Sequence, residues 1–270
     1  ATRTEIGLPG SQRQLLQALH ATGKPLVIVV MSGRPLALVW EDQHADAILS
    51  AWFAGSEAGN GIADVLFGDV NPSGKLAMSL PRSVGQCPIY YAEPPTGRPP
   101  GMIGIDAEGD NERDARGRHV FRKFTTACRV DGPSTPLYPF GYGLSYSTFD
   151  YGTISVDKTM LRGDDLLEAS IEVRNSSLLA GEEIVQLYIG DPVASRSRPV
   201  RELKDFQKIL LQPGEQRVVR FTVTTADLTF FHADRLAEPE ALWEPGEFVI
   251  EIGRNSDELS AISISWQADS

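Results

Sequence analysis

Residues 52–76, WFAGSEAGNGIADVLFGDVNPSGKL, decide how the rest of the chain is read. They follow a mostly apolar run, residues 47–53 (AILSAWF), that reads as the end of a buried strand. Ser56 is placed to cap a helix, and Glu57 to sit where the positive end of the helix dipole favours a carboxylate. Ala58, Ile62, Val65 and Leu66 come at helical spacing, and Gly68 ends the helix, because a left-handed residue costs least as glycine. Residues 71–74 (NPSG) are a turn by composition, and residues 76–80 read as the start of a new strand. Strand, turn, helix, turn, strand is the repeating unit of an α/β layer.

Upstream of this unit, residues 9–20 predict a helix with Leu15, Leu16 and Leu19 on one face, stopped by Gly23-Lys24-Pro25. Residues 26–31 (LVIVVM) are continuous, rich in β-branched residues and bounded by Pro25 and Gly33, the pattern of a parallel strand covered on both faces. Residues 36–40 form a second short apolar run. Residues 41–45 read as a polar helical turn, with Glu41 and Asp42 at the surface. Downstream, from about residue 81 to 136, proline, glycine, arginine and aspartate crowd together and hydrophobic periodicity disappears.

After Tyr146 the period becomes two. Ala169, Ile171 and Val173 alternate with polar residues, as do Val185, Leu187 and Ile189, then Val219, Phe221 and Val223, then Phe248, Ile250 and Ile252, and then Ile262, Ile264 and Trp266. Turn signals at 175–177, 212–215, 244–247 and 253–256 separate them. With residues 149–156 and 203–211 added, about seven strands predict an antiparallel β-sandwich. The fold class is therefore α/β plus all-β, a division that a length of 270 residues also suggests.

The charge, 25 basic against 36 acidic residues, or −11, argues against nucleic acid or an anionic membrane as partner. The run 26–31 is far too short to span a bilayer. Two cysteines, Cys87 and Cys128, make no disulfide framework, although they could pair in an oxidising compartment. The four histidines (His20, His44, His119 and His232) are not at metal-ligand spacing, so no metal and no cofactor is expected.

Several candidate chemistries reduce to packing. Gly55, Gly59 and Gly61 lie where a dinucleotide fold places its phosphate glycines, but Asp64 stands at the third position and would repel a pyrophosphate. Gly55-Ser56 is not the glycine-x-serine-x-glycine of a nucleophile elbow. Glu57 and Asp64 share a helix face and are conceivable as an acid/base pair, against a plainer reading as dipole compensation and a solvated face. Trp40, Trp52, Trp243 and Trp266 could stack on sugars, but each sits in an apolar context that fits a core. The residues alone thus give two domains with no self-contained active site: a binding module, or part of a larger enzyme.

A resemblance narrows this choice. Residues 52–91 (WFAGSEAGNGIADVLFGDVNPSGKLAMSLPRSVGQCPIYY), residues 24–36 (KPLVIVVMSGRPL) and residues 137–149 (LYPFGYGLSYSTF) resemble the C-terminal half of glycoside hydrolase family 3. Tyr90-Tyr91 with residues 96–99 (TGRP) is similar to the bacterial periplasmic β-glucosidase branch. Residues 197–206 (SRPVRELKDF) and 211–215 (LQPGE) resemble its fibronectin type III-like domain. The implied division is 1–86, the C-terminal part of an α/β sandwich; 87–145, a long loop and linker; and 146–270, a fibronectin type III-like β-sandwich.

The resemblance implies a retaining mechanism with an attacking carboxylate in a barrel that this chain lacks. It also implies an acid/base glutamate on a loop a residue or two ahead of Ala1. No catalytic residue is therefore expected here, Glu5 included. Thr2 and Arg3 are expected near the substrate by proximity. The implied activity is removal of terminal β-D-glucosyl residues from oligosaccharides by the whole enzyme, periplasmic or secreted, with the chain alone inactive. The implied partners are a β-glucoside, the missing N-terminal barrel and a homodimer mate, with residues 100–131 as either a surface loop or a lid or subunit contact. The alternatives are a parent acting on β-xylosides or N-acetylglucosaminides, or a stand-alone carbohydrate-binding or structural module.

Overall fold

Two short parallel strands, β1 (Val27–Val30) and β2 (Ala47–Ser50), lie at the centre of the first half. They are part of a computed structural model that describes residues 3–95, 133–231 and 241–269. Helix α1 (Gln12–His20) precedes β1, α2 (Val39–His44) precedes β2, and α3 (Ala58–Phe67) follows it. Asp46 ties the strands at their start, accepting from Leu26 N at 2.7 Å while its own N–H donates to Leu26 O. Ile28 and Val30 bury one face of β1 in a small core with Leu26, Leu36 and Leu38.

The other face of β1 is open. Val27 is 50% exposed and Met31 61%, so among the described residues β1 is covered on one face, where the sequence leads to an expectation of two. Leu15 and Leu19 of α1 are likewise exposed, and only Leu16 of that apolar stripe packs on the core. Helix α3 ends as expected, with Gly68 left-handed at φ 83°. Its start differs. Glu57, not Ser56, occupies the cap position, and no side-chain cap bond forms.

Residues 76–80 do not form a strand. They run irregularly beside residues 137–142, joined by one bridge, Leu80 to Tyr138, and by the hydrogen bonds Leu76 N to Tyr142 O and Gly141 N to Leu76 O. This pairing leads the chain into the second half.

The second half is a two-sheet sandwich. One sheet has the order β5 (Met160–Arg162), β13 (Leu259–Gln267), β12 (Gly246–Gly253), β7 (Gly181–Gly190), β8 (Glu202–Leu211). The other is built on β6 (Leu167–Asn175), with β3 (Phe149–Tyr151) and β4 (Ser155–Val156) on one edge and β9 (Gln216–Val223) on the other. All pairs are antiparallel except β13 with β5. A short pair, β10 (Phe230–Phe231) and β11 (Ala241–Leu242), stands apart. Every residue named in the alternating pattern faces the core, with Ile262 only partly buried. Trp266 is fully buried and its indole N–H donates to Gly163 O at 3.0 Å, which satisfies the polar atom that burial would otherwise orphan.

The 71–75 turn binds the two halves. The Asn71 amide donates to Ser147 Oγ and Ala180 O, and accepts from Ser145 Oγ and Tyr146 N, all at 2.8–2.9 Å. Lys75 Nζ pairs with the buried Glu183 at 3.2 Å and donates to Gly143 O. Tyr151 donates to the same carboxylate, and burial followed by that negative charge pushes its phenol pKa well above the ordinary value. A second seam is aromatic: Tyr91 stacks on Phe140 at 4.2 Å and meets Tyr188 edge-on.

Candidate functional site

In an open α/β sheet, ligands gather beyond the carboxyl ends of the strands. Here β1 and β2 are parallel and in register from Val27 opposite Ala47 to Val30 opposite Ser50, so both deliver their following turns to one edge. Ser32, Gly33 and Arg34 follow β1. The Ser32 hydroxyl donates to Arg34 O at 3.0 Å and folds that turn on itself. Trp52 follows β2 with φ 48°, a left-handed backbone that a bulky residue rarely adopts. It brings Phe53 over the first turn. A Cβ on Gly33 would stand 2.3 Å from the edge of the Phe53 ring, so any larger residue there would push that ring aside. The ring is otherwise 83% exposed.

The start of the chain is strapped to this edge. Arg34 donates from Nη1 to Arg3 O at 2.6 Å and from Nη2 to Glu5 O at 3.3 Å. Ala37 N donates to Ile6 O at 2.9 Å. Behind the strap lies an open cleft of about 410 Å³ lined by Glu5, Arg13, Trp40, Gln43 and Arg82, among others. Beside this cleft the sequence reading of Glu41 as a surface residue is corrected. Glu41 is fully buried and takes a two-pronged bond from Arg13, Nε to Oε1 at 3.1 Å and Nη2 to Oε2 at 3.3 Å. Asp42 accepts from Tyr138 OH at 2.5 Å, and burial together with that carboxylate raises the Tyr138 pKa.

Of the residues expected at the substrate, Thr2 lies outside the described residues. Arg3 is exposed on the strap, where its carbonyl is the group held by Arg34. Glu57 is exposed at the start of α3 and accepts from Asn60 at 2.6 Å. Asp64 lies seven residues along the same helix, roughly 10 Å of axial rise, beyond the 5–5.5 Å of a retaining carboxylate pair. Trp40 stacks on His44 at 4.4 Å, with His20 edge-on to both. Among the described residues no group of three or more His, Cys, Asp or Glu could hold a metal. Cys87 is exposed; Cys128 and residues 100–131 lie outside the described residues. Arg34 and Phe53 were missed by sequence reasoning. The signal for Arg34 was a Ser-Gly-Arg-Pro run placed after a β-branched strand; nothing local in the sequence pointed to Phe53.

Comparison with known proteins matches residues 1–146 to the glycosyl hydrolase family 3 C-terminal domain and residues 183–256 to a fibronectin type III-like domain. A periplasmic beta-glucosidase of Salmonella typhimurium is 48% identical over 95% of this chain and 31% of its own length. A beta-xylosidase of Formosa agariphila is 38% identical over 97% of this chain and 33% of its own. The beta-glucosidase of Listeria innocua, solved with isofagomine and with glucose, superposes at TM-scores of 0.84 and 0.83, with 38% identity over 97% of this chain and 34% of that one. The chain spans about a third of the length of these relatives. Among the described residues no helix is long and apolar enough to cross a membrane. With one family model covering 146 of its 270 residues and the second domain in the expected order behind it, the chain belongs to glycosyl hydrolase family 3.

Proposed function

We propose that this chain is the C-terminal portion of an exo-acting, retaining β-glucosidase that removes terminal β-D-glucosyl residues from oligosaccharides. The observation that carries this reading is the 48% identity, along nearly the whole chain, to a periplasmic beta-glucosidase. In such a reaction one carboxylate attacks the anomeric carbon, and a second carboxyl group protonates the leaving oxygen and later activates water. Both belong to polypeptide preceding Ala1: the attacking group in an N-terminal barrel, the acid/base group on the loop that runs into the strap. The strand-end rim forms a wall of the site, with Thr2 and Arg3 near the substrate. We divide the chain at 1–86, 87–145 and 146–270, and place the enzyme in the periplasm or outside the cell, by similarity to the same relative. Self-association belongs to this reading, supported by Phe206 and Leu210, exposed on one side of the edge strand β8.

The beta-xylosidase relative favours a second reading, a parent acting on β-xylosides. The two are separated by kcat/KM of the whole polypeptide on 4-nitrophenyl β-glucoside and β-xyloside. A preference for the glucoside is expected; a preference for the xyloside would replace the first reading with the second.

A further inference from the structure

Arg34 occupies a turn closed on one side by its own hydrogen bonding. The Ser32 hydroxyl donates to Arg34 O, and the exposed Phe53 ring lies over Gly33 on the other side. From that turn the guanidinium reaches two carbonyls of one extended segment, Arg3 O at 2.6 Å and Glu5 O at 3.3 Å, while Ala37 N takes Ile6 O at 2.9 Å. A rigid fork on two carbonyls fixes both the place and the direction of the segment; a lysine ammonium, a point charge on a flexible stem, would not. On the β-glucosidase reading above, the segment so held leads from the loop that carries the acid/base group.

We propose that Arg34 is a positioning residue for the general acid/base group. It touches neither substrate nor reacting atoms, and acts by setting where the loop ahead of the strap presents its carboxyl group. The inference rests on the β-glucosidase reading above.

The chemistry makes the consequence selective. In the first step the attacking carboxylate oxygen bonds to the anomeric carbon as the glycosidic C–O bond breaks. The electron pair of that bond goes to the leaving oxygen, which takes the proton of the acid. A sugar leaving group needs that proton, whereas 2,4-dinitrophenolate departs as a stable anion. A misplaced acid therefore slows the former and spares the latter.

The test uses the whole polypeptide with Arg34→Ala and Arg34→Lys, measuring kcat/KM, which reports the first step, on cellobiose and on 2,4-dinitrophenyl β-glucoside. Arg34→Ala is expected to lower the cellobiose value by at least about tenfold and the dinitrophenyl value by less than about threefold, with the alkaline limb of the cellobiose pH profile displaced. Arg34→Lys is expected to show the same selectivity to a smaller degree, and it carries the comparison if the alanine variant does not fold. An equal loss on both substrates, the mark of a generally loosened site, would overturn the proposal, as would no loss on either. A wild type inactive on both substrates would instead overturn the β-glucosidase reading, and this inference with it.

Discussion

Asn71 uses its full hydrogen-bonding capacity, two donors and two acceptor lone pairs, on groups of the second half. Arrangements of this kind discriminate by polarity as well as by shape. Asn71→Ala is expected to destabilise the chain by about 2 kcal/mol, because several partners lose a bond at a partly buried junction. Asn71→Asp should cost more than the alanine despite its identical shape, because an acceptor oxygen would then face Ala180 O. Urea unfolding measures both, and an aspartate variant as stable as wild type would contradict this account. Glu251 offers a pH test. Burial raises its pKa above the ordinary 4.5, and the Arg201 guanidinium 2.9 Å away offsets part of the effect. As pH rises from 4.5 to the raised value, the folded state keeps a proton that the unfolded state has lost, so stability falls across that window. Glu251→Gln lacks this fall. The melting temperature of wild type relative to the variant should therefore decline with rising pH in that window; a constant difference would show that Glu251 titrates alike in both states.

At the scale of elements, the sandwich was the most legible part of the sequence. Its strands bury one face each, so period-two alternation from Leu167 to Val173 and from Phe248 to Ile252 maps directly onto the core. Helix α3 was legible through Gly68, whose left-handed backbone is a local property. What escaped depends on partners far along the chain. The burial of Glu41 is made tolerable by Arg13, 28 residues earlier, and a charge read without its partner looks like surface. Residues 76–80 have the composition of a strand, but their partner at 137–142 turns away after one bridge. The strap was illegible for the same reason, since Arg34 reaches back 31 residues to Arg3 O. The irregular crossing is tight: a Cβ on Gly143 would lie 2.2 Å from Gly74 O. Backbone cannot yield as a flexible side chain does, so Gly143→Ala should destabilise by about 2 kcal/mol. An unchanged urea midpoint would show that the 71–75 turn and the linker can separate freely.

For the whole molecule, the contrast between the halves carries the functional account. The sandwich closes a continuous core of its own, whereas the first half has a two-stranded sheet with one open face, a helix with exposed leucines, and an exposed aromatic rim at its strand ends. The continuous apolar run at 26–31 is the pattern of a strand buried on both faces. On our account the second face is covered by the upstream two-thirds of the enzyme, which also brings the reacting carboxylates to the rim. Release of glucose from cellobiose, followed for the whole polypeptide beside residues 1–270 alone at equal concentration, tests this most directly. The account predicts turnover by the whole polypeptide and none by residues 1–270; glucose release by residues 1–270 on their own would contradict it.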